Sequence, residues 1–239
     1  MFNHDGSKLI CVQYPSSESW QNFIFEVPTL AGGLSRKIWD KAVFSWLSDL
    51  APDGSALLEG YGAAIRELDL VSGAATLLFA DDSNLGNGHF SHDGRWVAFT
   101  SAPKTEFVSK NAKSRVYVAP FRKTLVPRSE WIQVISNTLD SQASAAVLEG
   151  FDPRFSENDK LIFFESDHDG FSCIWAQRLR ADMRPDGDPF AVYHSHERKL
   201  PLSRAHGAGL AVGPRTLLFE RMQLTGNIWL LEQEKAGPK

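Results

Sequence analysis

Sulfur is scarce in this chain of 239 residues, which has two cysteines and three methionines. Two cysteines cannot staple a small disulfide scaffold, so the fold must rest on a packed core. No stretch reaches the roughly 18 apolar residues that a membrane helix needs. The opening Met-Phe-Asn-His-Asp-Gly has neither the basic nor the apolar region of a signal peptide. Positive charge is also short, with 25 Lys and Arg against 29 Asp and Glu and a net charge of −4. Phosphate contacts need a basic face, so general nucleic-acid binding is not expected. A sustained 3.6-residue apolar period is missing, and only 141–149 offers a candidate helix. No Gly-x-Ser-x-Gly elbow occurs; Ser7 and Ser55 follow Asp-Gly pairs and read as turn residues, which removes serine-hydrolase chemistry of that type.

Aromatics are plentiful: 16 Phe, 7 Trp and 4 Tyr. They favour strands, and they recur in a pattern. The clearest copy is Phe90-Ser91-His92-Asp93-Gly94-Arg95-Trp96-Val97-Ala98-Phe99. Others begin at Phe2, Leu50, Phe155 and Leu210, at spacings of 48, 40, 65 and 55 residues. Each reads as a tight hairpin followed by a buried strand, with Asp-Gly supplying positive φ and Asn158-Asp159 replacing it in the fourth copy. A further strand follows in each unit, at 22–27, 64–69, 115–119, 173–177 and 227–231. Each has a β-branched residue at one place: Ile24, Ile65, Val116, Ile174 and Ile228. A more polar fourth strand is expected at 35–39, 75–79, 131–135 and 190–194. Four short strands per roughly 40–50 residues make an all-β propeller of about five four-stranded blades. The units start near 1, 43, 83, 149 and 205, giving a single domain over 1–232 with a frayed tail at 233–239. Loops are expected at 102–114 and 138–147.

The segment 90–99 resembles the PD40 repeat, or WD40-like β-propeller repeat, of TolB-like propellers and of the propeller domains of S9-type peptidases. The proline of that repeat is retained at Pro52 and replaced by His4 and His92. The segments 154–156, 165–179, 187–194 and 225–232 resemble the C-terminal ends of large acidobacterial proteins in which such a propeller follows a winged helix or a protein kinase. The resemblance implies the C-terminal part of a larger bacterial regulator, either a piece of a six- or seven-bladed ring or a five-bladed ring with ragged ends.

His194 and His196 stand at i and i+2, on one face of a strand, a spacing that suits a metal; His206 follows. No cysteine or carboxylate completes a recognised ligand spacing, and Ser195, Glu197, Arg198 and Lys199 mark an exposed outer strand, so no metal is assigned. Asp167-His168-Asp169-Gly170 opens like a calcium loop, but Ala176 stands where the EF-hand needs its Glu. Cys11 and Cys173 fall in apolar strands and read as small hydrophobes. Trp96, Trp175 and Trp229 read as packing residues, and Lys104, Lys110, Lys113 and Arg115 as a solvated loop.

These readings point to a non-catalytic binding or sensing propeller whose loops dock a protein or peptide, or a small ligand, with no cofactor and no catalytic residue assigned. The alternatives are a hydrolase or lyase built from carboxylates and histidines converging from several blades, or the accessory propeller of an S9-type peptidase. The cytoplasm is the default compartment, and the periplasm if an exported part lies upstream. Deleting residues 103–113 is expected to leave folding intact, by circular dichroism and thermal melting, and to alter partner binding. Collapse of the domain on deletion would make that loop structural.

Overall fold

The computed structural model describes residues 7–13, 22–30, 32–43, 46–104, 114–135, 151–166, 170–194, 196, 202 and 210–223. The expected strand at 227–231, the tail at 233–239, the candidate helix at 141–149, the loop at 138–147, the segment 167–169 and His206 lie outside them.

The chain forms antiparallel sheets in sequence order. The first holds β1 (Lys8–Gln13), β2 (Asn22–Pro28) and β3 (Arg36–Val43). The second holds β4 (Trp46–Leu50), β5 (Ala56–Tyr61), β6 (Ala64–Asp69) and β7 (Ala75–Ala80). The third holds β8 (Asn84–Phe90), β9 (Trp96–Ala102), β10 (Arg115–Pro120) and β11 (Ile132–Gln133). The fourth holds β12 (Phe151–Phe155), β13 (Leu161–Ser166), β14 (Cys173–Arg178) and β15 (Phe190–Tyr193). The fifth holds β16 (Leu210–Gly213) and β17 (Thr216–Phe219). No α-helix occurs among the described residues. Within each sheet every strand pairs with the next in sequence, and the first strands meet across the sheets: β8 packs on β4 and on β12, and β12 on β16. This is the blade arrangement of a β-propeller, and the fold is all-β as the repeat predicts.

Both faces of each middle blade are buried, which explains its near-continuous apolar runs. Successive side chains alternate between the two neighbouring blades. On β10, Tyr117 and Ala119 join a core with Leu58, Ile65, Phe79 and Phe99, between the second and third sheets. Val116 and Val118 point the other way, into a core with Phe155, Ile162 and Phe164 between the third and fourth. On β5, Leu57 packs toward Ile10, Ile24 and Trp39 of the first sheet, and Leu58 toward the third. Phe79 and Phe99 stack with centroids 4.7 Å apart, and Trp131 meets Phe99 edge-on at 4.9 Å. The recurrent aromatics are therefore the layers between blades.

The hairpins of the second, third and fourth copies are built alike. In these three, only the second residue of the pair takes positive φ: Gly54 at 73°, Gly94 at 70° and, in the fourth copy, Asp159 at 56°. The turn is wider than a two-residue type I′ hairpin, closed by the Ser91 N–H to the Trp96 carbonyl at 2.8 Å and by the Gly94 N–H to the Ser91 carbonyl at 2.9 Å. The first residue folds its side chain back to accept a backbone N–H two residues on, as Asp93 does from Arg95 and Asn158 from Lys160. The Ser156 N–H to the Leu161 carbonyl at 2.9 Å closes the fourth copy the same way.

Asp159 departs from glycine for a reason the repeat alone does not reveal. Its carboxylate crosses to the third blade and accepts the N–H groups of His92 at 2.7 Å and Asp93 at 3.0 Å. Left-handed backbone at a non-glycine residue costs on the order of 1 kcal/mol, and two charge-assisted hydrogen bonds offset it. Asp159→Ala, which keeps the strain and loses both bonds, is expected to lower stability by about 1–3 kcal/mol in urea titration. Asp159→Asn, tolerant of positive φ and still an acceptor, should lose clearly less. Equal losses would mean that the tie between blades carries no weight.

Candidate functional site

Three features bring polar side chains together: a cluster on the innermost strands, a cleft between the third and fourth blades, and a cysteine–histidine group at the far end of the fourth.

The inner cluster is made by bulges. The pairing of β4 with β5 slips between Leu47 and Asp49, that of β8 with β9 between Gly86 and His89, and that of β12 with β13 between Phe151 and Arg154. Asn87 and Asp152 take positive φ there, at 51° and 48°. A bulge re-aims the side chains beside it. Asp49 accepts the N–H of Phe90, on the next inner strand, at 2.9 Å. Asp152 accepts the N–H of Leu210, on the inner strand after its own, at 3.0 Å. His89 lies between the two carboxylates, with Nε2 at 3.2 Å from Asp152 Oδ1. Arg154 Nη1 stands 2.8 Å from His89 Nδ1, and Arg154 Nη2 lies 3.1 Å from Asp152 Oδ1. A guanidinium can only donate, so Nδ1 accepts and Nε2 carries the hydrogen given to Asp152. Burial pushes the Asp152 carboxyl up, but the His89 hydrogen bond, the Arg154 charge and the Leu210 N–H together hold it below the ordinary carboxylate value.

Three of these side chains, from three blades, are the convergence that an enzyme reading requires. Their atoms are committed to one another and to backbone N–H groups, and His89 is only 3% exposed. A proton-transfer group must reach a substrate atom, and here the partners are neighbouring strands. The cluster acts as a bolt between blades.

The cleft opens on the face carrying the Asp-Gly hairpins and has a volume of about 730 Å³. Trp96 and Ile132 give it an apolar lining, with Arg122 on the third-blade side and Arg180 and Arg184 on the fourth-blade side. The loop after β14 holds the last two rigidly. It is closed by the Arg180 N–H to the Arg184 carbonyl at 2.9 Å and by the Leu179–Pro185 bridge. Met183, at positive φ, is buried in the core between the blades. The buried Gln177 amide donates to the carbonyls of Arg178 and Gly187 from below, each at 3.0 Å. Arg122 pairs with Glu130 at 2.7 Å, Arg180 with Asp186 at 3.6 Å and Arg184 with Asp182 at 3.4 Å. Exposed pairs of this kind are worth little, so an incoming carboxylate can exchange for the resident one.

The sequence did not single out either group. Asp49, one residue before a repeat start, was the available signal for the inner cluster; for the cleft it was the Arg180, Arg184 spacing beside a Pro-Asp-Gly turn. Of the residues it did weigh, Trp96 is half-buried and lines the cleft. Trp175 packs against the core between the third and fourth sheets. Cys11 is half-buried on β1. Lys104 and Arg115 are exposed, while Lys110, Lys113 and Trp229 lie outside the described residues. His194 and His196 come together with Cys173, which sequence spacing gave no reason to join to them.

No protein-family model matches the sequence, and no curated protein is similar to it. Solved structures are similar in fold. A protein assigned as TolB from Agrobacterium tumefaciens superposes with a TM-score of 0.56 at 19% identity, covering 80% of this chain and 63% of its own. TolB from Acinetobacter baumannii gives 0.54 at 16% identity, covering 84% of this chain and 49% of its own. A prolyl endopeptidase gives 0.51 at 21% identity, covering 92% of this chain and 30% of its own. The chain thus spans less than two thirds of each, and the fold it shares with them is the TolB-like β-propeller. No helix among the described residues is long and apolar enough to cross a membrane.

The Asp152 carboxyl supports a test of the bolt. A folded-state value below the unfolded one contributes stability that is present above the ordinary carboxylate range, near 4, and is lost as pH falls through the folded value. Asp152→Asn is expected to lower stability at pH 7 by about 1.5–3 kcal/mol and to flatten the decline between pH 5 and pH 2. Denaturant melts across that window measure both. An unchanged acid limb would show that the carboxylate gains nothing from its neighbours.

Proposed function

We propose that this chain is a non-catalytic interaction propeller that docks a carboxylate-bearing segment of a partner protein in the cleft between its third and fourth blades. The observation that carries the reading is the cleft: an apolar lining of Trp96 and Ile132 beside three guanidinium groups. Aromatic and arginine side chains dominate binding energy at protein interfaces, and guanidinium forks take carboxylates two oxygens at a time. Propeller blades hold such a cleft rigid, so little ordering cost is left for the partner to meet. The resemblance to C-terminal segments of larger bacterial regulators supports a place for this module at the sensing end of a signalling protein. The reading frame upstream in the genome, encoding a winged helix or a kinase or neither, decides that point.

The convergence of Asp49, His89 and Asp152 favours a second reading, a hydrolase or lyase on the propeller face. It is the weaker one, since those groups are engaged with the strands they join.

Fluorescence anisotropy with a labelled Glu/Asp-rich peptide carrying one aromatic residue tests the first reading, with a Lys-rich peptide as control. Binding of the acidic peptide alone is expected, weakening as salt rises. The double variant Arg180→Ala/Arg184→Ala should weaken it by about tenfold or more, the scale of 1.4 kcal/mol. Equal binding of both peptides, or an unaffected double variant, would remove the cleft from the account.

A further inference from the structure

We propose that Cys173, His194 and His196 form a three-ligand site for a borderline-soft transition-metal ion, Zn²⁺. A bulge between β14 and β15 creates it. Trp175 pairs with Ala191, but the next step of the ladder pairs Ile174 with Tyr193, so the exposed Val192 is skipped. The register shifts by one residue. In the unshifted register Cys173 would face Tyr193; in the shifted one it comes level with His194. Cys173 Sγ then lies 3.6 Å from His194 Nδ1. His196, two residues on, brings a third ligand atom, and the three lie within 4.8 Å of one another.

Those distances match the ion's own geometry. Tetrahedral zinc with a sulfur at about 2.3 Å and a nitrogen at about 2.0–2.1 Å sets the two ligand atoms about 3.6 Å apart. The cysteine–histidine pair already has that edge. Bringing the widest distance to a similar edge takes little more than about 1 Å, which an exposed imidazole covers by a small side-chain rotation. The rings are held by aromatic neighbours: Phe171 stacks on His196 with centroids 4.5 Å apart, and Trp175 meets His194 edge-on at 5.8 Å. Ring contacts of this kind limit the orientations each imidazole takes.

Burial separates this site from a cysteine–histidine nucleophile. Cys173 is fully buried and both histidines are exposed, so a substrate carbonyl cannot reach the sulfur, while an ion entering between the imidazoles can. A thiolate with two imidazoles suits zinc rather than a hard, oxygen-seeking cation. On binding, the thiol proton passes to solvent as the sulfur–metal bond forms, so affinity rises with pH. Three protein ligands leave a fourth position for water or an incoming donor. The site lies at the end of the fourth blade opposite the Asn158-Asp159 hairpin, and so opposite the cleft. It clips the start of β14 to the segment after β15, and it stands whether or not the cleft binds a partner.

The test is titration of the metal-free full chain with Co²⁺, followed by displacement with Zn²⁺. One equivalent of Co²⁺ is expected to bring up a sulfur-to-cobalt charge-transfer band with tetrahedral ligand-field bands, which Zn²⁺ removes. Cys173→Ser should abolish the charge-transfer band, while Cys11→Ser and His92→Ala leave it. His196→Ala, at an exposed position that folding tolerates, should weaken Zn²⁺ binding by roughly 10–100-fold or more with an unchanged far-ultraviolet spectrum, and it decides the matter should the Cys173 variant fail to fold. Absence of the band, its loss in Cys11→Ser, or unchanged affinity in His196→Ala would each overturn the assignment.

Discussion

The fold depends on a buried carboxylate at the meeting of inner strands. Apolar layers hold neighbouring blades face to face, yet hydrophobic contact is non-directional and would let one blade slide along the next. Asp152 removes that freedom. It takes a hydrogen bond from His89 of the third blade and another from the Leu210 backbone of the fifth, with Arg154 beside it. Asp49 does the same between the second and third. Such groups are costly to bury, and the cost is met because both oxygens of each carboxylate have directed partners. Asp159 repeats the device at the rim, where its carboxylate holds the neighbouring hairpin. A row of neighbouring sheets thus acquires a fixed register, and the cleft between the third and fourth blades inherits its width from it.

The same register explains what can and cannot be read along the chain. The hairpins and the strands after them are legible because their causes are local: a residue at positive φ, a side chain folded onto its own backbone, an apolar run buried on both faces. Even the degenerate fourth copy keeps that geometry, with Asn158 and Asp159 in the roles of aspartate and glycine. The reason for Asp159 is not local. It lies in His92 and Asp93, which a spacing argument within one unit cannot supply.

Bulges mark where legibility ends. They leave no fixed signature among one-letter codes, because an extra residue is absorbed wherever strand pairing tolerates it. Yet the bulges in β4, β8 and β12 turn Asp49, His89 and Asp152 toward one another, and the one at Val192 moves Cys173 from facing Tyr193 to facing His194. The histidine pair could be noticed from its i, i+2 spacing. Its cysteine, 21 residues earlier, could not, since nothing in the spacing distinguishes facing His194 from facing the residue before it. Cys173 read as a small hydrophobe, and by burial it is one; a single step of register adds the second identity.

The two ends of the fourth blade therefore differ in kind. At the hairpin end the chain places arginines and Trp96 around a cleft of about 730 Å³, where exposed ion pairs remain exchangeable. At the other end it gathers a thiol and two imidazoles into a space that suits one ion. Rigid sheets make both workable, because a blade pinned to its neighbours presents its loops without the entropy loss that mobile loops incur on binding. A partner on the cleft and a metal at the opposite end would both act on β14, which starts at Cys173 and runs into the loop bearing Arg180 and Arg184. A strand of six residues, paired with β13 along its length and with β15 from Ile174 to Ala176, transmits little by bending. Coupling between the two sites would have to pass through the Val192 bulge, the one place in that sheet where the register between β14 and β15 is already broken.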